Sequence, residues 1–131
     1  MATILVVDDE IDILALVRTF MSKVGHRVLT AISGEEALEV TESEIPDVAI
    51  LDVAMPGMDG LQLLQKLRQK EGMNDLPAIF LSAKVQPEDI AAGRALGAGY
   101  LTKPFHAHTL EEAVKASLGG SSANGTAPDL G

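Results

Sequence analysis

The sequence predicts an α/β fold in which five parallel strands form one doubly wound sheet with helices on both faces. Three observations favour this fold. Short apolar runs without polar alternation are typical of strands that are covered on both faces. Segments with apolar residues at helical spacing separate these runs. Such an alternation of strands and helices is typical of a parallel sheet with right-handed crossovers.

The strands are predicted from short runs of apolar residues, many of them β-branched. The three strongest runs end abruptly at a polar residue, which is Asp8 after the first strand, Asp52 after the third and Ser82 after the fourth. Short apolar runs with no polar position are typical of buried strands in a parallel sheet. The predicted strands cover residues 4–7, 28–31, 48–51, 78–81 and 100–101, of which the second and fifth are weaker.

The first three helices are predicted from apolar spacing and from the residues at their ends. Apolar residues at positions 13, 16, 17, 20 and 24 recur at helical spacing, and Gly25 provides a stop. Ser33 and Glu36 have the spacing of a capping box, which opens a second helix through position 40. Leucines at positions 61, 64 and 67 mark a third helix that ends near Gly72, and Asp59 either supports the turn before this helix or caps it.

The last two helices are predicted in the same way. Pro87 and the two acids after it favour the first turn of a fourth helix, and Gly97 lies past its end. Thr109 and Glu112 have the spacing of a second capping box, which we expect to open the fifth helix. Apolar residues at positions 110, 114 and 118 form the buried stripe of that helix.

Length and composition predict one acidic domain. With 131 residues, 47% apolar and 22% charged, the chain fits one ordinary globular domain over 1–118, followed by a flexible Gly/Ser-rich tail or linker stub at 119–131. A net charge of −9 argues against direct binding of nucleic acid or of anionic membranes. Because there is no cysteine, thiolate chemistry and disulfides are excluded. Without a signal peptide or an apolar membrane span, a cytoplasmic location is expected.

Four of the five predicted strands end at or just before a polar or charged side chain. Asp8 and Asp9 follow the first strand, Asp52 the third, Ser82 the fourth and Lys103 the fifth. Ligands bind to open parallel sheets just beyond the carboxyl ends of the strands. We therefore expect three carboxylates, one hydroxyl and one ammonium group to converge at one edge of the sheet.

This convergence predicts a cation site and phosphoryl chemistry. Three carboxylates in one cleft repel one another, and a bound cation relieves the repulsion. Since the donors are oxygens, the cation is expected to be Mg²⁺, with Mn²⁺ as an alternative. Lys103 would add positive charge and Ser82 a hydrogen bond, which together stabilise a transferring phosphoryl group. One carboxylate could act as the nucleophile and form an aspartyl phosphate.

Four sequence motifs occur in order at the predicted strand ends. They are ILVVDDE at 4–10, LDVAMPGMDG at 51–60, LSA at 81–83 and LTKPF at 101–105. Together they make the chain resemble the receiver domain of two-component response regulators, of which the chemotaxis regulator is a stand-alone member. The resemblance covers residues 3 to about 118. It implies a flavodoxin- or CheY-like (βα)5 fold with the strand order 2-1-3-4-5.

The resemblance also implies a role for each site residue. Asp52 would accept a phosphoryl group from a phosphohistidine of a sensor histidine kinase or a histidine phosphotransfer protein. Asp8 and Asp9, the latter more directly, would hold Mg²⁺ together with Asp52 and the backbone carbonyl of Ala54. Lys103 would pair with the acyl phosphate. The domain would catalyse its own phosphorylation and dephosphorylation, without a separate substrate.

A conformational switch is implied as well. Ser82 would move towards the phosphoryl group and Tyr100 would turn inward with it, which would alter the surface of the fourth helix, fifth strand and fifth helix. The peptide bond between Lys103 and Pro104 is expected to be cis. Ala54 replaces a larger or polar residue common in the family, so the sequence leaves the rate of dephosphorylation open. Glu10 is interpreted as a solvated acid that lies close enough to modulate the site.

Two other functions compete with that of a signalling receiver. A phosphatase or mutase of the haloacid dehalogenase type would also use Mg²⁺ and an aspartyl nucleophile, but it places two aspartates one residue apart after the first strand. Here Asp8 and Asp9 are adjacent, and no chain remains for a cap domain. A degenerate receiver that only binds a partner is disfavoured by the intact acids, Ser82 and Lys103.

The remaining partners are only partly indicated. We expect output through a downstream protein, or through an output domain beyond residue 131. The sequence identifies neither the kinase nor the target. Phosphorylation-dependent homodimerisation through the fourth and fifth helices is compatible with the sequence, which does not decide it.

Overall fold

Strands and helices alternate along the chain in this computed structural model, which describes residues 2–83 and 86–119. All ten elements expected from the sequence are present. In chain order they are β1 (Thr3–Val7), α1 (Ile11–Lys23), β2 (Arg27–Ala31), α2 (Gly34–Ser43), β3 (Val48–Asp52), α3 (Gly60–Arg68), β4 (Ala78–Ser82), α4 (Pro87–Ala95), β5 (Gly99–Thr102) and α5 (Ala107–Gly119).

The five strands form one parallel sheet in the order β2-β1-β3-β4-β5, which confirms the predicted strand order. The register aligns Val7 with Leu51 in the two strands at the centre. On the far side of β3, Asp52 is aligned with Leu81 and Ser82 with Thr102. The carboxyl ends of four strands therefore meet at one edge, as the positions of the polar residues predicted.

The core has two layers, one on each face of the sheet. On one face, α1 and α5 cover alternate residues of the strands, with Val17 and Leu110 fully buried between them. On the other face, α2 and α3 pack through residues such as Ala37 and Leu64, which are also fully buried. All five residues of β3 and of β4 are buried. This explains why their sequences lack polar alternation.

The predicted helix boundaries are partly corrected. Ser33 accepts a hydrogen bond from the Glu36 backbone N–H at 3.1 Å, but the Glu36 carboxylate accepts from Ile32 and not from Ser33. The second capping box, at Thr109, is wrong because α5 begins at Ala107, where the His106 carbonyl accepts the first helical N–H. α2 extends to Ser43, three residues past the predicted end, and α3 ends at Arg68, before Gly72.

The predicted domain boundary at residue 118 stays a prediction, because only one residue beyond it is described. α5 includes Gly119, the first residue assigned to the tail. Residues 120–131, which carry the rest of the predicted tail, lie outside the described residues. Within residues 2–83 and 86–119, none of the helices has the length and apolar character needed to cross a bilayer.

Candidate functional site

The sheet brings four of the predicted polar side chains to one edge and buries most of them. Asp8 follows β1 directly and is fully buried, while Asp52 and Ser82 end β3 and β4 with 4% and 2% of their surface exposed. Lys103 follows β5, and only 9% of its side chain is exposed. Burial of charged groups is costly unless they are paired. These four side chains are therefore a candidate functional site, in which we expect the buried charges to be paired.

Lys103 is the cation that pairs with these acids. Its Nζ lies 2.8 Å from Asp8 Oδ2 and 3.6 Å from Asp52 Oδ2. It also lies 2.8 Å from Glu10 Oε1, a contact that spans 93 residues of sequence. The interpretation of Glu10 as a solvated acid is thus incomplete, because its side chain is 60% exposed and still contacts the buried ammonium group.

Burial and charge shift the proton affinity of the site residues. Burial, reinforced by the negative charge of Asp8, raises the pKa of Asp52 to about 7, although Lys103 and the Ala54 backbone N–H act in the opposite direction. Burial lowers the pKa of Lys103, but the Asp8 and Glu10 carboxylates, each 2.8 Å from its Nζ, outweigh that effect and hold the pKa above its usual range. At neutral pH the site therefore contains a charged ammonium and a carboxyl group that ionises with difficulty.

The donor set fits a hard divalent cation. Asp8, Glu10 and Asp52 each offer a carboxylate oxygen, and these oxygens lie within 4.8 Å of one another. Asp8 Oδ2 is buried and accepts no hydrogen bond within the described part of the chain, although it lies in ion-pair range of Lys103. A buried carboxylate oxygen that accepts no hydrogen bond is a suitable ligand for Mg²⁺ or a similar ion. The acids can therefore bind a metal ion.

Two predicted metal ligands lie outside this oxygen group. Asp9 is exposed, and its carboxylate is not among the three that converge. Ala54 is exposed too, and its backbone N–H donates to Asp52 Oδ1 at 3.2 Å. That hydrogen bond orients the Asp52 carboxylate at the end of β3. The roles of Asp9 and of the Ala54 carbonyl in metal binding stay predictions.

The backbone behind Asp52 is supported by Gly60, the first residue of α3. The Gly60 N–H donates to the Val53 carbonyl at 3.0 Å, and a Cβ at position 60 would lie 2.3 Å from the Asp52 carbonyl oxygen. Asp59 caps the helix at this point through a capping box with Gln62, which confirms the predicted cap. α3 therefore approaches the end of β3 so closely that only glycine fits.

Gly60→Ala is expected to lower the free energy of unfolding by about 1–3 kcal/mol, because the added methyl group must push the Asp52 backbone away from α3. Chemical denaturation of the variant measures the loss. Gly119→Ala is the matched control, since a Cβ there meets no atom of the described residues within 4 Å. A Gly60→Ala protein as stable as wild type would show that the backbone accommodates a side chain at this position.

The two predicted switch residues lie next to one another. Ser82 is the last residue of β4, and Tyr100 lies in the neighbouring β5, partly buried. Burial raises the pKa of the Tyr100 phenol, and a side-chain hydrogen bond with Ser82 partly opposes that rise. A hydroxyl at the site is thus connected to an aromatic side chain on the β5 surface. The predicted cis bond between Lys103 and Pro104 is also confirmed.

Comparison with known proteins identifies the same type of domain throughout. A family model described as the response regulator receiver domain matches residues 4–115. The alkaline phosphatase synthesis transcriptional regulatory protein PhoP of Bacillus subtilis is 43% identical over 116 residues, 88% of this chain and 48% of PhoP. Protein PilH of Pseudomonas aeruginosa is 36% identical over 121 residues, 92% of this chain and 100% of PilH.

Solved structures agree with these relatives. A structure of the chemotaxis protein CheY4 of Vibrio cholerae superimposes with a TM-score of 0.85 at 36% identity, covering 90% of this chain and 99% of that one. The chain spans about half the length of the transcriptional regulators that it matches. It covers the full length of PilH and nearly all of CheY4.

Proposed function

The chain belongs to the response regulator receiver domain family of two-component systems, and from this we propose that Asp52 accepts a phosphoryl group and thereby switches the domain between two states. The observation that carries the proposal is the position of the buried Asp52 carboxylate, 3.6 Å from the Lys103 ammonium and within 4.8 Å of the other converging carboxylate oxygens. Such a site can compensate the negative charge of the Asp52 carboxylate and also that of a phosphoryl group attached to it.

The proposed reaction is phosphoryl transfer from a phosphohistidine of a sensor histidine kinase or a histidine phosphotransfer protein. An Asp52 Oδ atom forms a bond to phosphorus while the bond between phosphorus and the donor imidazole nitrogen breaks. The leaving nitrogen keeps the bonding electrons and takes a proton from solvent. Hydrolysis of the resulting acyl phosphate by water returns Asp52 as a carboxylate and releases inorganic phosphate.

The ionised form of Asp52 is the nucleophile, so groups that favour ionisation of Asp52 also favour the reaction. Lys103 and the Ala54 N–H favour the carboxylate, against burial and the charge of Asp8. Mg²⁺, held by Asp8 and Asp52 with Asp9 and the Ala54 carbonyl as further proposed ligands, would supply positive charge for the phosphoryl oxygens. Mn²⁺ is the alternative ion.

Ser82 and Tyr100 are the proposed switch. After phosphorylation Ser82 would donate its single hydroxyl hydrogen to the phosphoryl group instead of to Tyr100. Tyr100 would then adopt a second position, and the surface of α4, β5 and α5 would change with it. This surface is the proposed contact with the downstream partner or output domain, and with a second copy if phosphorylation drives dimerisation.

The proposed setting is a cytoplasmic phosphorelay in which the domain acts on itself and on no separate substrate. PhoP is a transcriptional regulatory protein and CheY4 a chemotaxis protein, so these two relatives serve different processes. A net charge of −9 disfavours direct contact of this domain with nucleic acid or an anionic membrane. Output would therefore pass through another protein or another segment.

Acetyl phosphate with Mg²⁺ is expected to add one phosphoryl group to the protein, because the site binds the cation and presents one nucleophilic carboxylate. Intact-mass spectrometry measures the product, and the same reaction with excess EDTA is the control that should give none. If the protein remained unmodified while turning over p-nitrophenyl phosphate many times, it would be a phosphatase and the proposal would fail.

A further inference from the structure

Lys103 is engaged by three carboxylates that differ in how easily they can release it. Its Nζ is equally close to Asp8 and Glu10, at 2.8 Å, and farther from Asp52, at 3.6 Å. The ammonium group has three N–H donors and no acceptor. The two closest contacts of Lys103 are thus with Asp8 and Glu10, and not with Asp52, which carries the proposed reaction.

The partner that can leave most easily is Glu10. Asp8 is fully buried, and its Oδ2 accepts no hydrogen bond within residues 2–83 and 86–119, so loss of Lys103 would leave a buried charge uncompensated. The Glu10 side chain is 60% exposed, and water can replace the ammonium as its partner. A phosphoryl group on Asp52 would therefore draw Lys103 from Glu10 before it draws Lys103 from Asp8.

We propose that Glu10 is a positioning residue that holds Lys103 back from Asp52 and so opposes the phosphorylated arrangement. This inference rests on the proposed function, since it assumes that Lys103 pairs with a phosphoryl group on Asp52. The Glu10 carboxylate and the phosphoryl group compete for the same ammonium. Removing the Glu10 carboxylate leaves the phosphoryl group with one competitor fewer for Lys103. This change favours the state in which Lys103 pairs with the phosphoryl group.

The side chain of Glu10 can be changed without removing a structural contact of α1. Glu10 is the N-cap residue, but its side chain makes no capping hydrogen bond. Its contacts with the helix use the backbone, because its carbonyl accepts from Ile13 and Leu14 and its N–H donates to Asp8 Oδ1 at 2.9 Å. Glu10→Gln and Glu10→Ala keep these bonds and remove the charge.

Binding of beryllofluoride, a phosphoryl mimic, at saturating Mg²⁺ tests the inference. Glu10→Gln and Glu10→Ala are expected to bind the mimic about two- to fivefold more tightly than wild type, the effect that one exposed ion-pair partner supports. The larger gain is expected for alanine, since glutamine can still accept a hydrogen bond from Lys103. Asp12→Asn is the matched control, because it removes an exposed acid two positions away that lies outside these three ion pairs. Equal or weaker binding by both Glu10 variants would overturn the inference.

A second measurement separates positioning from metal binding. In protein without the mimic, the Lys103 side-chain NMR signal, assigned with Lys103→Arg, is expected to shift in Glu10→Gln and to stay in place in Asp12→Asn. In Mg²⁺ titration without the mimic, the affinity of Glu10→Gln is expected to fall by less than about tenfold, because the Glu10 carboxylate near Asp8 and Asp52 is already paired with Lys103. A loss of about tenfold or more in Mg²⁺ affinity would make Glu10 a metal ligand and contradict the inference.

The two proposals fail in different ways. If wild-type protein bound no beryllofluoride and took up no phosphoryl group, the proposed function itself would be wrong. If wild type bound the mimic and the Glu10 variants showed no gain, only the role of Glu10 would be wrong.

Discussion

Asp52→Asn is expected to abolish phosphoryl incorporation and, in metal-free protein above pH 7, to raise the free energy of unfolding by about 2 kcal/mol. The first effect follows from the loss of the nucleophilic carboxylate, since an amide at this position forms no acyl phosphate. Intact-mass spectrometry after incubation with acetyl phosphate and Mg²⁺ measures it. The second effect follows from the cost of ionising a buried carboxyl group beside Asp8.

The sign of the stability change is set by the pKa of Asp52, which is about 7 in the folded protein and ordinarily 3.8. Because the folded state holds the proton more strongly, stability falls as pH rises from 3.8 to about 7. Asparagine does not ionise and avoids this loss of stability. The gain in the free energy of unfolding of Asp52→Asn is therefore absent at about pH 3.8 and complete above about pH 7. Mg²⁺ should reduce the difference, because it stabilises only the protein that binds it well.

Denaturation at several pH values, with Asp12→Asn as an exposed control, measures this second effect. The control is expected to stay within about 0.5 kcal/mol of wild type at every pH. An Asp52→Asn protein with no gain in stability above pH 7 would mean that Asp52 ionises without cost, and the electrostatic description of the site would be incorrect.

Lys103→Ala is expected to lower the free energy of unfolding of the metal-free protein by about 3 kcal/mol at about pH 8, because it leaves two buried carboxylates without a cation. Added Mg²⁺ should restore part of the loss, since the ion compensates the same charges. Denaturation with and without Mg²⁺ measures both effects. The variant should still be phosphorylated by acetyl phosphate. The population of the activated conformation, measured by NMR of the α4-β5-α5 surface, should fall.

Lys115→Ala is the control for this variant, because Lys115 is exposed on α5 and takes no part in the three ion pairs of Lys103. Its stability is expected to match that of wild type. If Lys103→Ala were equally unaffected without metal at the same pH, Lys103 would contribute no charge compensation to Asp8 and Asp52.

The fold and most of the site could be predicted from the sequence because parallel strands end at a common edge. Once the apolar runs before Asp8, Asp52 and Ser82 were assigned to strands, the topology alone placed the three side chains together. Lys103 follows the same logic at the end of β5. No side-chain geometry was required for this prediction.

Other features depend on tertiary contacts that local patterns do not contain. The contact of Glu10 with Lys103 spans 93 residues, and an acid at the start of a helix is ordinarily solvated. Thr109 and Glu112 have capping-box spacing, but α5 starts earlier, at Ala107, where the His106 carbonyl accepts the Leu110 N–H. The need for glycine at position 60 arises from the close approach of α3 to the end of β3.

The most direct test is to identify the modified side chain. Protein treated with acetyl phosphate and Mg²⁺ is reduced with borohydride, which converts an aspartyl phosphate to homoserine, and is then digested and sequenced by tandem mass spectrometry. We predict homoserine at position 52 and at no other acidic residue, and none when EDTA is present. Homoserine at another aspartate, or phosphate that resists reduction, would show that Asp52 is not the acceptor.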